Sequence, residues 1–300
     1  MRQVTLISLY GEKSLELVNL IHQCQKMIAG ITGIEFTPYD LPQIHATILG
    51  LEQVIGTPMH NLNLAKYQNL SKKMDVCGFL NWLRISDYVP FQIQVGGFDD
   101  CDYDFTSRGQ RPYERSFSLQ GNKAVIMGWP IRHLPLGVSE KRRGEISKQT
   151  RRRGEAETRR IQVPRKISFT PPLGETSSNN SNFPQPASSY PNTLDQIRKA
   201  AQSFNILHAY HRTPADVDND FYFRIGLFNP ETIDDSSKKS LEKSISEFLS
   251  KTTPVIFEVT LANLCVASYD DEKLPVNSTT FWSLQDNLLT QELICSLYES

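Results

Sequence analysis

Apolar residues at the start of the chain recur first with the period of a strand and then with that of a helix. Residues Val4 to Tyr10 alternate between apolar and polar, which predicts a strand. From Ser14 the apolar positions take helical spacing until Gly30, so a helix is expected between these two residues. After a proline-punctuated loop, the apolar run from Ile44 to Leu51 predicts a second strand. The fold should therefore open with a strand, a helix and a strand.

The middle of the first half predicts a further helix and an antiparallel element. Helical spacing runs from about Leu62 to Leu83. Residues Phe91 to Val95 alternate strictly, which is typical of a strand with one buried and one solvent-facing side. Ser116–Leu119 and Lys123–Met127 flank a Gln-Gly-Asn turn and predict a β-hairpin.

The second half repeats the mixture of helices and strands. The predicted elements are a helix from Leu194 to Phe204, a strand or loop at Ile206–His211, a strand at Phe221–Phe228, a helix at Ser236–Leu249, a strand run at Val255–Ser268 and a helix from Phe281 to Tyr298. Both halves of the chain are thus expected to hold sheet and helix together.

A charged and polar segment separates the two halves. Residues 141–166 hold eleven Lys or Arg against three Glu, and a Ser-, Asn- and Pro-rich tract continues to Asn192 without apolar periodicity. We predict a disordered insertion at 138–192, with a first lobe at 1–137 and a second lobe at 193–300 that completes the same domain. The insertion can make weak phosphate contacts with RNA. The alternative is an inert surface linker, because no aromatic residue interleaves its arginines to stack bases.

The overall composition indicates a protein that is neither exported nor membrane-bound. Lys plus Arg total 32 against 33 for Asp plus Glu, so net charge points to no nucleic-acid or membrane partner. The five cysteines are far apart and form no CxxC pair, which argues against a disulfide framework and a zinc site. The amino terminus lacks a signal-peptide pattern and no apolar run reaches spanning length, so we expect a cytoplasmic protein.

The strongest candidate for chemistry is the tripeptide His45-Ala46-Thr47. Residues two apart in a strand share a face, so His45 and Thr47 should point the same way. An imidazole transfers protons near neutral pH and a hydroxyl can hold a phosphate oxygen, which suits acid or base catalysis at a phosphodiester. The alternative is a histidine that is simply hydrogen-bonded within a sheet.

The surrounding order of elements resembles the two-histidine phosphoesterase superfamily, which includes RNA 2′,3′-cyclic phosphodiesterases and 2′-5′ RNA ligases. The resemblance rests on His45-Ala46-Thr47-Ile48-Leu49-Gly50, on the strand around Phe91–Val95, and on the element order of the second half. It implies an α+β fold with two pseudo-symmetric antiparallel-sheet lobes and outer helices around a central cleft. It also implies hydrolysis of a cyclic phosphate by two histidines, with two hydroxyls on the phosphate and no cofactor or metal.

The second motif departs from the pattern of the family. Aligned on Tyr222-Phe223-Arg224-Ile225, Tyr222 stands where the second histidine belongs and Arg224 where the threonine belongs. A phenol can donate a proton but is a poor base at neutral pH, whereas a guanidinium can grip two phosphate oxygens. The alternative is that both are ordinary strand residues, with Arg224 paired to an acid such as Asp220.

Two other places offer a replacement for the missing histidine. His208 and His211 precede the Tyr222 strand, and their spacing of three would place them on opposite faces of an extended chain, as surface or structural histidines. Glu258 and Thr260 form an H-x-T-like pair with Glu in place of His, but this segment matches the closing strand better.

Three functions remain open from the sequence. The first is a metal-independent phosphoesterase acting on the 2′,3′-cyclic phosphate of an RNA end or small nucleotide, with His45 as acid or base, Thr47 and Arg224 on the phosphate, and Tyr222 as partner. The second is a catalytically silent module that binds the same ligand. The third is an interaction protein that works through the basic insertion.

Overall fold

The computed structural model describes residues 2–132, 190–286 and 289–299. The described residues on both sides of the longer gap belong to one compact unit. Apart from residues 190–192, the predicted insertion at 138–192 lies outside the described residues.

The described elements alternate between strands and helices. The strands are β1 Gln3–Ser8, β2 Phe36–Pro38, β3 Ala46–Gly50, β4 Gln53–Val54, β5 Thr57–Asn61, β6 Phe91–Val95, β7 Phe117–Gln120, β8 Lys123–Ile131, β9 Phe221–Phe228, β10 Val255–Val259, β11 Leu264–Tyr269 and β12 Thr280–Ser283. The α-helices are α1 Leu15–Ala29, α2 Leu62–Gln68, α3 Val76–Ile85, α4 Pro112–Arg115, α5 Thr193–Ala200, α6 Asp235–Lys251 and α7 Gln291–Leu297.

Ten of these strands form one large antiparallel sheet. Its order is β10-β6-β8-β9-β3-β1-β11-β12, with β2 added to β9 and β7 added to β8. Strands from both halves of the chain are neighbours, since β10 pairs with β6, β8 with β9, and β1 with β11. The structure therefore confirms a mixed architecture of a large antiparallel sheet with several helices. No helix among the described residues is long and apolar enough to cross a membrane.

Local capping explains why the first helix begins and ends where the sequence predicts. The Ser14 hydroxyl accepts a hydrogen bond from the Leu17 amide, and the Gly30 amide donates to carbonyls of the last turn. The apolar stripe of α1 is buried and includes Leu17, Ile21 and Ile28. Helix α1 packs against β2, β9 and α6, so it covers one face of the sheet.

The long helix predicted from Leu62 to Leu83 is wrong, because the chain folds into two shorter helices there. Asn69 adopts a left-handed backbone conformation (φ 54°), and its amide donates to the Leu64 carbonyl, which ends α2. Asparagine tolerates this conformation better than most residues do. The Asp75 carboxylate then caps α3 by accepting from the Gly78 amide. Apolar periodicity continues across the break and so conceals it.

Two further boundaries differ from prediction for a similar reason. The run from Val255 to Ser268 is two strands, β10 and β11, separated by a 3-10 turn at Leu261–Asn263. The Thr260 amide donates a hydrogen bond to the Asn263 side-chain oxygen, which stabilises this turn. The expected helix from Phe281 to Tyr298 is confined to α7, because Phe281 lies in β12 beside β11.

Strand β6 was predicted to have one solvent-facing side, but all five of its residues are buried.

Candidate functional site

The pairing of β3 with β9 brings the predicted site residues together. Ala46 lies across from Phe223 in an antiparallel pair, and both side chains are fully buried in the core. Side chains one residue away on either strand point to the opposite face of the sheet. His45 therefore lies across from Arg224, and Thr47 across from Tyr222. All four side chains line a single cavity.

The cavity has a volume of about 200 Å³. Small-molecule pockets usually measure about 300–1,000 Å³, so this one suits a small polar group rather than a whole oligonucleotide. Besides the four predicted residues, its lining includes Thr5, Gly50, Glu52, Asn63, His208, Ala209, Tyr210, Tyr269, Glu272 and Leu274. Most of these side chains are polar, so the cavity is chemically suited to a hydrogen-bonding ligand.

His45 is held in one orientation immediately before β3. Its Nδ1 lies 2.8 Å from the Gln43 carbonyl oxygen. A carbonyl only accepts hydrogen bonds, so Nδ1 carries the proton and Nε2 carries a lone pair. Burial, with a smaller contribution from the charges of Arg224 and Lys13, lowers the pKa of His45 to about 4, although its hydrogen bond to the Gln43 carbonyl opposes the shift. The ring is therefore neutral at pH 7 with a lone pair on Nε2, and the lowered pKa makes it a weak base.

Thr47 lines the cavity, and its backbone carbonyl is held by a side chain from another element. The Arg198 guanidinium donates to the Thr47 carbonyl at 3.2 Å and to the Ile48 carbonyl at 2.9 Å. Arg198 is fully buried and also bonds the Asp218 carboxylate at 3.2 Å and the Asp220 carbonyl at 3.1 Å. One side chain from α5 thus ties β3 to the segment that leads into β9.

Arg224 supplies positive charge to the cavity. Its side chain is 25% exposed, and its Nη1 lies 3.8 Å from a carboxylate oxygen of the exposed Glu272. Arg224 thus pairs with an acid as the alternative expected, but the acid is Glu272 and not Asp220, whose carboxylate lies 2.6 Å from the Ser107 hydroxyl and 2.9 Å from the Trp129 indole nitrogen. Among the described residues that line the cavity, Arg224 is the one Lys or Arg side chain.

Tyr222 is a protonated phenol in this setting. Burial raises the pKa of Tyr222, although the charges of Arg224 and Arg198 partly oppose that effect. Its ring also packs against the aromatic cluster around Trp129 and Phe98 behind the cavity. The side chain can donate a hydrogen bond or a proton, but it cannot act as a base near pH 7.

His208, one of the two histidines that the sequence offered as a replacement, is a cavity residue. The segment Ile206–His211 forms no strand: the His211 amide donates to the His208 carbonyl at 3.0 Å, so a turn separates the two histidines. Both rings are buried and hydrogen-bonded to carboxylates, so of the two expectations, surface or structural histidines, the structural one fits. His208 lines the cavity, whereas His211 does not. The sequence offered both histidines as candidates, but nothing in the local pattern indicated which of them would line the cavity.

The acids near the cavity differ in position. Glu52 lines it, and burial raises the pKa of Glu52. Glu258 lies on β10 at an edge of the sheet and is not part of the lining. Within the described ranges, no group of three or more His, Cys, Asp or Glu side chains is placed to hold a metal ion.

Comparison with known proteins adds no family to this geometry. A scan against protein-family models finds no match to the chain, and a search of curated proteins also finds none.

Proposed function

We propose that the protein binds and hydrolyses the 2′,3′-cyclic phosphate of an RNA end or of a small nucleotide in the cytoplasm. The observation that supports this proposal is the meeting of His45 and Thr47 with Tyr222 and Arg224 in one cavity, from strands separated by most of the chain. The resemblance of the first motif to two-histidine phosphoesterases led to the same four residues.

The residues divide the reaction between them. The Arg224 guanidinium and the Thr47 hydroxyl hold non-bridging phosphate oxygens. The neutral His45 accepts a proton from water as the water oxygen attacks phosphorus. The bond from phosphorus to one ribose oxygen breaks, and that oxygen takes a proton, for which the Tyr222 hydroxyl is a donor within the cavity. The product is a phosphomonoester.

The proposal includes two pseudo-symmetric lobes around the cavity. The sheet divides into β10-β6-β8-β9 and β3-β1-β11-β12, and each group of four ends with a strand that carries site residues. The two groups meet at β3 and β9, whose register consists of one residue pair, Ala46 with Phe223. Neighbouring pairs elsewhere in the sheet, such as β1 with β11, share a longer register. The junction therefore suits a cleft between lobes.

The second candidate function is a silent module that captures the same phosphate without cleaving it. Tyr222 favours this alternative, because a phenol whose pKa is raised is a weak acid as well as a poor base. Both functions predict phosphate binding, and only the first predicts turnover.

The two functions separate when purified protein is incubated with nucleoside 2′,3′-cyclic phosphates and with short RNA that ends in a cyclic phosphate. The test variant is His45→Asn, since an Asn amide can keep the donor to Gln43 while the Nε2 base is lost. We expect turnover in the wild type and a loss of about 10²–10⁴-fold in the variant. His22→Asn, an exposed histidine on α1, is the matched control and should keep full activity.

Three results are informative. Turnover that is lost in His45→Asn and kept in His22→Asn supports the enzyme. Stabilisation by the cyclic phosphates without turnover supports the silent module. Turnover that is equal in all three proteins contradicts the role of His45.

A further inference from the structure

The cavity is lined by a second histidine, His208, which does not lie on β9, the strand that carries Tyr222. His208 lies in the turn that follows α5 and lines the same cavity as His45. It is 4% exposed, so its ring is surrounded by protein except where it borders the cavity. The position that the motif alignment assigns to a second histidine holds Tyr222, but the cavity nevertheless holds two histidines.

His208 is oriented by a buried carboxylate and a buried cation. Its Nε2 lies 2.8 Å from the Asp218 Oδ2, and the same oxygen lies 3.2 Å from the Arg198 Nη1. Burial alone would raise the pKa of Asp218, but Arg198 and the His208 hydrogen bond hold it below its usual range. The carboxylate is therefore ionised and accepts from Nε2, which leaves the lone pair of the neutral ring on Nδ1.

The neighbouring His211 has the same local chemistry but a different location. Its Nε2 lies 2.9 Å from the Asp195 Oδ1, and Asp195 in turn pairs with Lys199 at 2.9 Å. The His211 Nδ1 is buried without a hydrogen-bond partner, and the residue does not line the cavity. The two histidines thus differ mainly in their access to a ligand.

We propose that His208 is the second proton-transferring residue of the cavity and protonates the leaving ribose oxygen opposite His45. This inference rests on the proposed hydrolysis of a cyclic phosphate. Burial and the charge of Arg198 lower the pKa of the free His208 to about 4, but the Asp218 carboxylate bonded to its ring opposes this shift and stabilises an imidazolium once an anion is bound, whereas His45 faces only a backbone carbonyl. Proton donation therefore falls to His208 rather than to Tyr222, and His45 remains the base.

The protons and bonds balance over one turnover. Binding of the phosphodiester anion draws one proton from solvent onto His208, because the anion favours the charged ring. Water then attacks phosphorus and gives a proton to His45, while the released ribose oxygen takes the proton from His208. His45 finally returns its proton to solvent. The charged and titratable groups that act on His208 are Arg198, Asp218 and His211.

The test compares His208→Gln with His211→Gln, because a Gln amide can keep the donor that each Nε2 provides to its carboxylate. We expect His208→Gln to lower kcat by about 10²–10⁴-fold with little change in KM, and to lose the alkaline limb of the kcat pH profile. His211→Gln should keep kcat within about threefold, as expected for a group that does not touch substrate. Equal losses of kcat in both variants would overturn the inference, as would an unchanged kcat in His208→Gln. In either case, turnover by the wild type would still support the proposed function.

A second measurement decides the inference if the wild type shows no turnover and the proposed function fails. Calorimetric titration with inorganic phosphate, in two buffers of different ionisation enthalpy, reports the number of protons taken up on binding. We expect uptake in the wild type and in His211→Gln, and its loss in His208→Gln. The same uptake, or none, in wild type and His208→Gln overturns the role of His208.

Discussion

Strands β3 and β9 are neighbours in the sheet and line one cavity, yet they contribute different chemistry. The β3 side brings a neutral imidazole and a hydroxyl, in His45 and Thr47. The β9 side brings a guanidinium and a phenol, in Arg224 and Tyr222. The group that can accept a proton thus lies on the β3 side, and the positively charged group lies on β9.

Under the proposed resemblance to two-histidine phosphoesterases, this difference is what distinguishes the β9 segment from the second motif of that family. A guanidinium in place of a threonine strengthens the grip on an anion, because each of its hydrogen bonds is charge-assisted. A phenol in place of a histidine removes a base from β9. His208, which precedes β9 in the chain, adds a second imidazole to the cavity. Four changes test this difference between the two strands.

The largest expected effect follows from removing Arg198, which holds both sides of the site. Arg198→Met leaves the Asp218 carboxylate buried without its cation, and it removes a donor to the Thr47 and Ile48 carbonyls. We expect a loss of about 3–5 kcal/mol in the free energy of unfolding, measured by urea denaturation. Lys199→Met is the control and should cost at most about 1 kcal/mol, since Lys199 is partly exposed and Asp195 keeps its bond to His211. Equal losses would show that Arg198 has no special role.

The next effect concerns the pH dependence of stability. Burial lowers the pKa of His45 and of His208 to about 4, below the unfolded value of 6.5. Between these values the unfolded chain binds more protons, so stability is complete above pH 6.5 and is lost as the pH falls toward 4. His45→Asn should spare about 3 kcal/mol of that loss in urea unfolding measured from pH 7 to 4. A slope unchanged by His45→Asn, or changed equally by His22→Asn, would contradict the assignment.

A smaller effect tests the charge on β9. Arg224→Met should weaken the binding of inorganic phosphate by about 1.5–3 kcal/mol, the usual worth of a hydrogen bond to a charged group, which is about 10- to 150-fold in Kd. Isothermal titration calorimetry measures the change. Arg111→Met is the matched control, because Arg111 pairs with Asp100 and Glu114 away from the cavity. If Arg111→Met weakens binding as much, the phosphate is held by general charge rather than at the site.

The smallest effect tests the hydroxyl on β3. Thr47→Val keeps the β-branched shape that suits a strand and removes the one polar group. We expect phosphate affinity to fall by about 0.5–1.5 kcal/mol with the fold intact, as seen in calorimetry and in urea unfolding. Thr37→Val, on the exposed strand β2, is the control and should leave affinity unchanged. A Thr47→Val protein with wild-type affinity would place the anion away from β3.

Local signals predicted most elements, because their causes lie within a few residues. Ser14 and Gly30 cap the two ends of α1 through hydrogen bonds to residues that lie no more than four positions away. The apolar run Phe221–Phe228 is β9 as predicted. Prediction was wrong where an apolar pattern continued through a turn, as at Asn69. It was also wrong where burial on a second face came from other parts of the chain, as for Gln92 and Gln94 of β6.

Local sequence patterns are sufficient to predict most of the strand–helix order and the shared face of His45 and Thr47, since strand periodicity sets which neighbours share a face. The position of Tyr222 and Arg224 across from them depends on long-range strand pairing. That register depends on the pairing of Ala46 with Phe223, and no local interaction can encode a pairing over such a separation. The same holds for His208, whose access to the cavity depends on Arg198 and Asp218 joining α5, β3 and the segment before β9.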